Sequence, residues 1–117
     1  MNTSFKIIAA IAASALSACA SAPSRIDTSR LSLVEENHAE MTKEGQTYIL
    51  DSYIIPFQRP YYILVRKTSS QPLSVNEASS VAVDYIKPRG CTTPLSRRTD
   101  LDTSNSSQTQ WLIGVEC

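Results

Sequence analysis

Residues 74–87, SVNEASSVAVDYIK, contain the clearest helical pattern in the chain. Ser74 and Glu77 form a capping box, in which the serine oxygen accepts a backbone N–H and the glutamate reaches back. The pattern stops at Lys87, because a following proline disfavours helical geometry at the residue before it. The apolar positions fall on one helical face: Val75, Ala78, Ala82, Tyr85 and Ile86.

Two strand patterns precede this helix. Residues 61–67, YYILVRK, are the strongest of them, and residues 46–55 form another β-rich run after the turn-forming Gly45. The connection at 56–60 begins and ends with proline, which keeps it out of a central strand. Residues 31–41 are ambiguous, because their apolar positions suit either a helical stripe or an extended segment.

After the helix we expect a hairpin. Its arms are residues 92–101 and 110–117, and residues 102–108 form a polar loop between them. The predicted order is therefore β-β-α-β-β, with a possible extra element at the start. This order indicates a small two-layer α+β domain, with one helix packed on a mostly antiparallel sheet.

Length and charge limit the classes of function. The chain has 117 residues, and its 11 Lys and Arg balance its 11 Asp and Glu, so the formal net charge is zero. That length suits one small domain. Zero net charge argues against a nucleic-acid partner, which requires a basic excess to neutralise phosphates. One His and three Cys offer little for a metal site or a His-based catalytic site.

The first residues carry an export pattern. Lys6 precedes an apolar run at 7–15, which is too short for a membrane span of about 20 residues but suits a secretory signal. The run ends in Leu16-Ser17-Ala18-Cys19, which resembles the lipobox of bacterial lipoprotein precursors. The alternatives are an ordinary secretory signal with an incidental cysteine, or a buried apolar helix.

The resemblance implies a lipid-anchored protein. Residues 1–18 would be a cleaved signal peptide, and Cys19 would carry diacylglycerol and an N-acyl chain, with no other cofactor. Several acyl chains hold a protein at a membrane far more firmly than one. Ala20, where an Asp would retain a lipoprotein in the inner membrane, implies the outer membrane, with the protein facing the periplasm. Residues 19–30 then read as a flexible tether and 31–117 as the periplasmic domain.

Cys91 and Cys117 remain after the predicted lipidation site. An even pair of cysteines in an oxidising compartment predicts a disulfide. Closing a loop of this length stabilises a small domain by about 3–4 kcal/mol in the chain-entropy model. The alternative is an intermolecular bond through Cys117.

The candidate binding residues are aromatic and basic. Phe57 and Arg59 lie on the proline-flanked connection, and Tyr61 follows it, a combination common at protein interfaces. Arg97 and Arg98 suit a phosphate, a lipid headgroup or a carboxylate, or else local ion pairs on a solvated strand. His38 lies among glutamates, but these residues do not share one face, which argues against a metal site.

These residues predict no catalytic site. We expect a non-enzymatic accessory or scaffold component of an envelope assembly, with an envelope protein as its partner. The alternative is a ligand-directed module: an inhibitor of a cell-wall hydrolase, or a binder of peptidoglycan or lipid. A protruding charged loop or a tyrosine-lined pocket would favour that alternative.

Overall fold

The computed structural model describes residues 25–91 and 94–117. The predicted signal peptide, the predicted lipidation site Cys19 and the first part of the predicted tether lie outside the described residues.

One antiparallel sheet forms the frame of the domain. Its strands are β1 Ser32–Lys43, β2 Gln46–Ile54, β3 Tyr61–Lys67, β4 Ser96–Arg97, β5 Thr103–Ser104 and β6 Gln110–Glu116. The described residues contain one α-helix, α1, which spans Val75–Ile86, between β3 and β4. The strand order in the sheet is β1-β2-β3-β6-β4, and β5 also pairs with β6, so β4 and β5 share the edge of β6 that β3 leaves free.

The helix begins as the capping box predicts. Ser74 has an extended backbone, and its side-chain oxygen accepts the Glu77 N–H at 3.1 Å. All the predicted apolar positions of α1 are buried or half-buried, and Val81 joins them. This face packs against alternate residues of the three central strands, which we call the helix face of the sheet. Its fully buried side chains include Leu50, Ile63, Val65, Ile113 and Val115.

The opposite side of the sheet, which we call the open face, has no α-helix on it among the described residues, although the short 3₁₀ turn at Thr99–Leu101 packs over Gly114 there. In register across β2, β3 and β6 it presents rows such as Ile49, Arg66 and Gln110. Its apolar side chains on β2 and β3, among them Tyr53, Tyr62 and Leu64, are only half-buried.

The α+β class, the antiparallel sheet and the single helix are confirmed, but the predicted β-β-α-β-β order is matched only roughly. The ambiguous stretch at 31–41 forms most of β1, an edge strand with a register irregularity between Val34 and Ala39. Pairing with β2 therefore overrides the helical spacing in its sequence.

The expected first arm of the hairpin is mostly not a strand. Among its described residues, 94–101, only Ser96–Arg97 pairs with β6, and a short 3₁₀ turn at Thr99–Leu101 follows. The range 102–108, expected to be a loop, contributes Thr103–Ser104 as β5. The chain leaves the ladder because the Asp102 side chain accepts the Gly114 N–H at 2.9 Å, while the Arg98 N–H donates to the Gly114 carbonyl at 2.9 Å.

The predicted disulfide is present. It joins Cys91 to Cys117 with a Cα–Cα distance of 5.4 Å across 26 positions of sequence. The Cys91 side chain is fully buried in the core beside the end of α1. The bond therefore attaches the segment after the helix to the end of β6.

A buried polar network joins the helix to the β1 irregularity. The Tyr85 hydroxyl on α1 donates to the Asn37 carbonyl at 2.5 Å and lies 2.6 Å from the Ser52 hydroxyl on β2. The Asn37 amide donates to Ser52 Oγ at 3.3 Å. Each buried polar group thereby gains a partner, which avoids the cost of an unsatisfied group in the core.

Candidate functional site

The connection between β2 and β3 is a tight turn with an unusual residue at its tip. The Gln58 N–H donates to the Ile55 carbonyl at 2.9 Å, which closes the turn. Pro56 occupies the second position, and Phe57 the third, with a φ of 69°. A proline followed by positive φ is typical of a type II turn, which favours glycine at the third position. A bulky aromatic residue there is an outlier.

The Phe57 side chain is fully exposed, at 106% of its reference area. The side chain therefore gains nothing from core burial, and its backbone adopts a conformation that costs an L-residue about 1–2 kcal/mol. Neither packing nor turn geometry accounts for phenylalanine at this position. An outlier of this kind on an exposed loop is a reason to infer a binding role.

Arg59 lies on the same connection and is also exposed, so a binding partner can reach it. Its side chain is 77% exposed, and its Nε is 4.0 Å from Glu116 Oε2. Arg98 Nη1 binds the other oxygen of the same carboxylate at 2.9 Å. The structure thus brings together two arginines that are far apart in sequence, with Glu116 between them.

Arg98 is more tightly engaged than Arg59. It forms a second ion pair with Asp100 at 2.8 Å. The hydrogen bonds that it donates to Asp100, and then to Glu116, raise the pKa of the Arg98 guanidinium. The same contact, led by the hydrogen bond from Arg98, lowers the pKa of Asp100.

Arg97 takes part in holding β6. It binds Asp102 at 2.5 Å and donates to the Gly114 carbonyl at 2.5 Å. No side chain fits at Gly114, because a Cβ there would lie 2.5 Å from the Arg98 carbonyl oxygen. Both guanidinium groups thus already bind carboxylates of this chain. Contact of Arg97 and Arg98 with another molecule stays a prediction.

Tyr61 does not lie with Phe57 and Arg59 on the exposed turn. It is half-buried against the core, and its hydroxyl is next to Gly90. Gly90 has a φ of 118°, and a Cβ there would lie 3.1 Å from that hydroxyl. Tyr61 thus packs against the core, with its hydroxyl close to the disulfide-bonded Cys91.

His38, the chain's only histidine, lies on the open face. Its Nδ1 is 2.7 Å from Asp51 Oδ1, and its side chain is 57% exposed. Within residues 25–91 and 94–117, no group of three or more His, Cys, Asp or Glu side chains is placed to hold a metal ion.

Two of the clefts on the surface contain titratable side chains. The smaller, about 340 Å³, lies between the start of α1 and the β1–β2 turn. There the Tyr48 hydroxyl donates to Glu77 at 2.6 Å, and Lys67 binds the same carboxylate at 3.2 Å. Burial, followed by the hydrogen bond to Glu77, raises the pKa of Tyr48 to about 12. Burial opposes the charged form of Glu77, but the hydrogen bonds from Tyr48 and Lys67 outweigh it and lower the pKa of Glu77.

The larger cleft, about 530 Å³, lies on the open face at the far end of β3 from Phe57. It is lined by basic and polar side chains, including Arg25 and Arg66. Sequence reasoning missed it. The β3 alternation assigns Arg66 to the face opposite Val65, but no sequence signal pairs it with Arg25, forty-one positions earlier.

Comparison with known proteins gives no relative: no family model, curated protein or solved structure matches this chain. Among the helices that the structure describes, none is long and apolar enough to cross a membrane.

Proposed function

We propose that this protein is a lipid-anchored lipoprotein of the bacterial outer membrane that faces the periplasm and binds another envelope protein. In this proposal it performs no catalysis and acts as an accessory or scaffold component of an envelope assembly. The observation that supports it is Phe57, fully exposed at a turn position that favours glycine. The lipobox-like residues 16–19 support the anchor and the location.

Phe57 and Arg59 together offer the chemistry of an interface anchor. An exposed aromatic ring gains free energy when a partner removes it from water, and arginine adds directional hydrogen bonds. Both residue types are enriched at protein interfaces, and arginine is also among the residues that most often dominate binding energy. The loop is short and closed by its own hydrogen bond, so little entropy is lost when a partner immobilises it.

A protruding loop of this kind would also serve an inhibitor of a cell-wall hydrolase, which inserts a loop into its target. The identity of the captured protein separates the two functions. A saccharide-binding pocket has less support, because the larger of the two clefts has no tyrosine in its lining and the smaller has only Tyr48.

Photo-crosslinking from position 57 tests the binding site. The full chain, expressed in its own host with a photoreactive phenylalanine analogue at this position, should crosslink to a discrete envelope protein. The same analogue at exposed Gln71 is the control and should not crosslink to that protein. Crosslinking to a cell-wall hydrolase with loss of its activity would replace the scaffold function with inhibition.

Phe57→Gly tests the same site by removing the aromatic ring. It should reduce capture of that partner by tenfold or more, as for a typical interface hot spot worth about 2 kcal/mol. Stability should change by less than about 1 kcal/mol, because relief of the positive φ offsets the flexibility of glycine in the unfolded chain. Gln108→Gly, also at positive φ and exposed, is the control and should leave capture unchanged. Full capture by Phe57→Gly would overturn the assignment of this turn.

The anchor has a separate test. Mass spectrometry of the mature protein should show a diacylglyceryl-modified N-terminal cysteine at position 19, and Cys19→Ser should abolish the modification. A mature protein that begins elsewhere and carries no acyl chain would contradict the anchor without affecting the role of Phe57.

A further inference from the structure

The larger cleft on the open face has the composition of an anion site. Three basic residues, Arg25, Arg66 and Lys67, are among those that line it, and the described part of the lining contains no carboxylate. The Ile26 N–H donates to the side-chain oxygen of Gln110 at 3.4 Å, which holds the segment that precedes β1 beside the cleft.

Arg25 and Arg66 differ from the other arginines of this region in their charge partners. Among the residues that the structure describes, neither Arg25 nor Arg66 forms an ion pair, whereas Arg97 and Arg98 each bind a carboxylate. Arg66 is half-buried on β3 between Ile49 and Gln110 in register. Arg66 is thus partly withdrawn from water and unpaired among the described residues, so an arriving anion would supply its guanidinium with charge-assisted hydrogen bonds. Lys67 differs, because it is already paired with Glu77.

The position of the cleft along the chain indicates which anion it meets. Arg25 is six residues after Cys19, and six residues span at most about 20 Å. If Cys19 carries the lipid, the cleft therefore lies within reach of the headgroups. We propose that Arg25 and Arg66 bind the phosphate of an anionic phospholipid headgroup and so orient the domain on the membrane.

This proposal deepens the proposed function and rests on its lipid anchor for the source of the phosphate. It also explains the arrangement of the two sites. Arg66 is near the end of β3 and the Phe57 turn precedes its start, so about 17 Å of strand separates them. Phosphate at the cleft would hold that end at the membrane and direct Phe57 away from it, towards a partner.

Vesicle binding tests the cleft independently of the anchor. The full chain with Cys19→Ser, which no lipid can modify, is mixed with vesicles of phosphatidylcholine alone or with added phosphatidylglycerol, and the bound fraction is measured by sedimentation. The apolar residues at 7–15 contribute equally on both vesicles, so the ratio of the two affinities reports the anionic lipid. We expect the ratio to favour phosphatidylglycerol, and Arg25→Gln and Arg66→Gln each to lower it about fivefold.

Arg30→Gln is the matched control. It removes the same charge from an exposed position close to Arg25 that does not line the cleft, so the ratio should stay unchanged. Arg25 is exposed, which makes Arg25→Gln informative even if Arg66→Gln lowers stability. An equal loss in all three variants would mean nonspecific attraction and would overturn the proposal.

Inorganic phosphate distinguishes the source of the ligand. If phosphate in solution shifts the Arg66 Nε–H resonance but the protein does not distinguish the two vesicle types, the site takes free phosphate and the lipid assignment is wrong. A preference for phosphatidylglycerol that Arg25→Gln or Arg66→Gln removes supports it. Failure of this test leaves the acylation of Cys19 and the Phe57 interface untouched, since each has its own measurement.

Discussion

The two faces of the sheet differ in how they are covered, although they are made by the same strands. On the helix face, α1 seals a continuous core in which Leu50, Ile63 and Val115 have no exposed surface. On the open face, only irregular segments approach the sheet, and the side chains at the equivalent positions of β2 and β3 are half-buried. Stability therefore comes mainly from one face, which leaves the open face available for binding.

The largest expected difference in stability between the two faces comes from truncating one isoleucine on each of them. Ile63→Ala on the helix face should lower the free energy of unfolding by about 3–4 kcal/mol, since it leaves a cavity in a sealed core. Ile49→Ala on the open face should lower it by only about 1 kcal/mol, because water already reaches the side chain. Urea denaturation of both variants measures the difference. Equal losses would show that the open face is covered as tightly as the other.

Removing one tyrosine hydroxyl from each face is a finer test. Tyr85→Phe should cost about 1–3 kcal/mol, because the Asn37 carbonyl and the Ser52 hydroxyl lose a buried partner. Tyr62→Phe on the open face should change stability by less than about 0.5 kcal/mol, since its hydroxyl forms no hydrogen bond with the described residues. Amide hydrogen exchange should also accelerate in β1 near Asn37 in Tyr85→Phe alone. Unchanged exchange there would mean that the network does not hold β1.

The smallest expected effect is on the pH dependence of stability, through Glu77 at the edge of the helix face. The lowered pKa of Glu77 means that its charged form stabilises the fold. That contribution is present above the unfolded pKa of about 4.3 and is lost as the pH falls through the lower folded pKa. Glu77→Gln should therefore reduce the loss of stability between neutral and acidic pH, as followed by urea denaturation. Glu40→Gln, an exposed glutamate of β1, should keep the wild-type pH dependence, and an equal effect in both variants would contradict the role of Glu77.

The helix and the central strands were predictable because their signals are local. The capping box at Ser74 and Glu77 and the alternation in 61–67 each depend on neighbouring residues, and tertiary contacts reinforce them. β1 was ambiguous because its spacing is compatible with a helix, and only pairing with β2 selects the strand. β4 and β5 were misplaced because side chains such as Asp102 replace ladder hydrogen bonds, which local patterning does not reveal.

For the candidate site, too, local sequence signals were predictive and contacts made by the fold were not. Phe57 and Arg59 were found because prolines mark their loop, but the positive φ that makes Phe57 informative appears only in the structure. Tyr61 was grouped with them by sequence proximity, yet strand alternation directs it towards the core. The Arg25 and Arg66 cleft was missed because its two arginines meet through the fold.

The central position of β6 also constrains when this domain can fold. β6 follows all the other described strands along the chain, yet it lies between β3 and the edge strands and carries Ile113 and Val115 into the core. A nascent chain on the ribosome that ends before residue 110 has β3 with an unpaired edge and a helix with part of its apolar contact missing. Folding must therefore wait until β6 has been synthesised, and a stop codon before residue 110 would be as damaging as loss of the core.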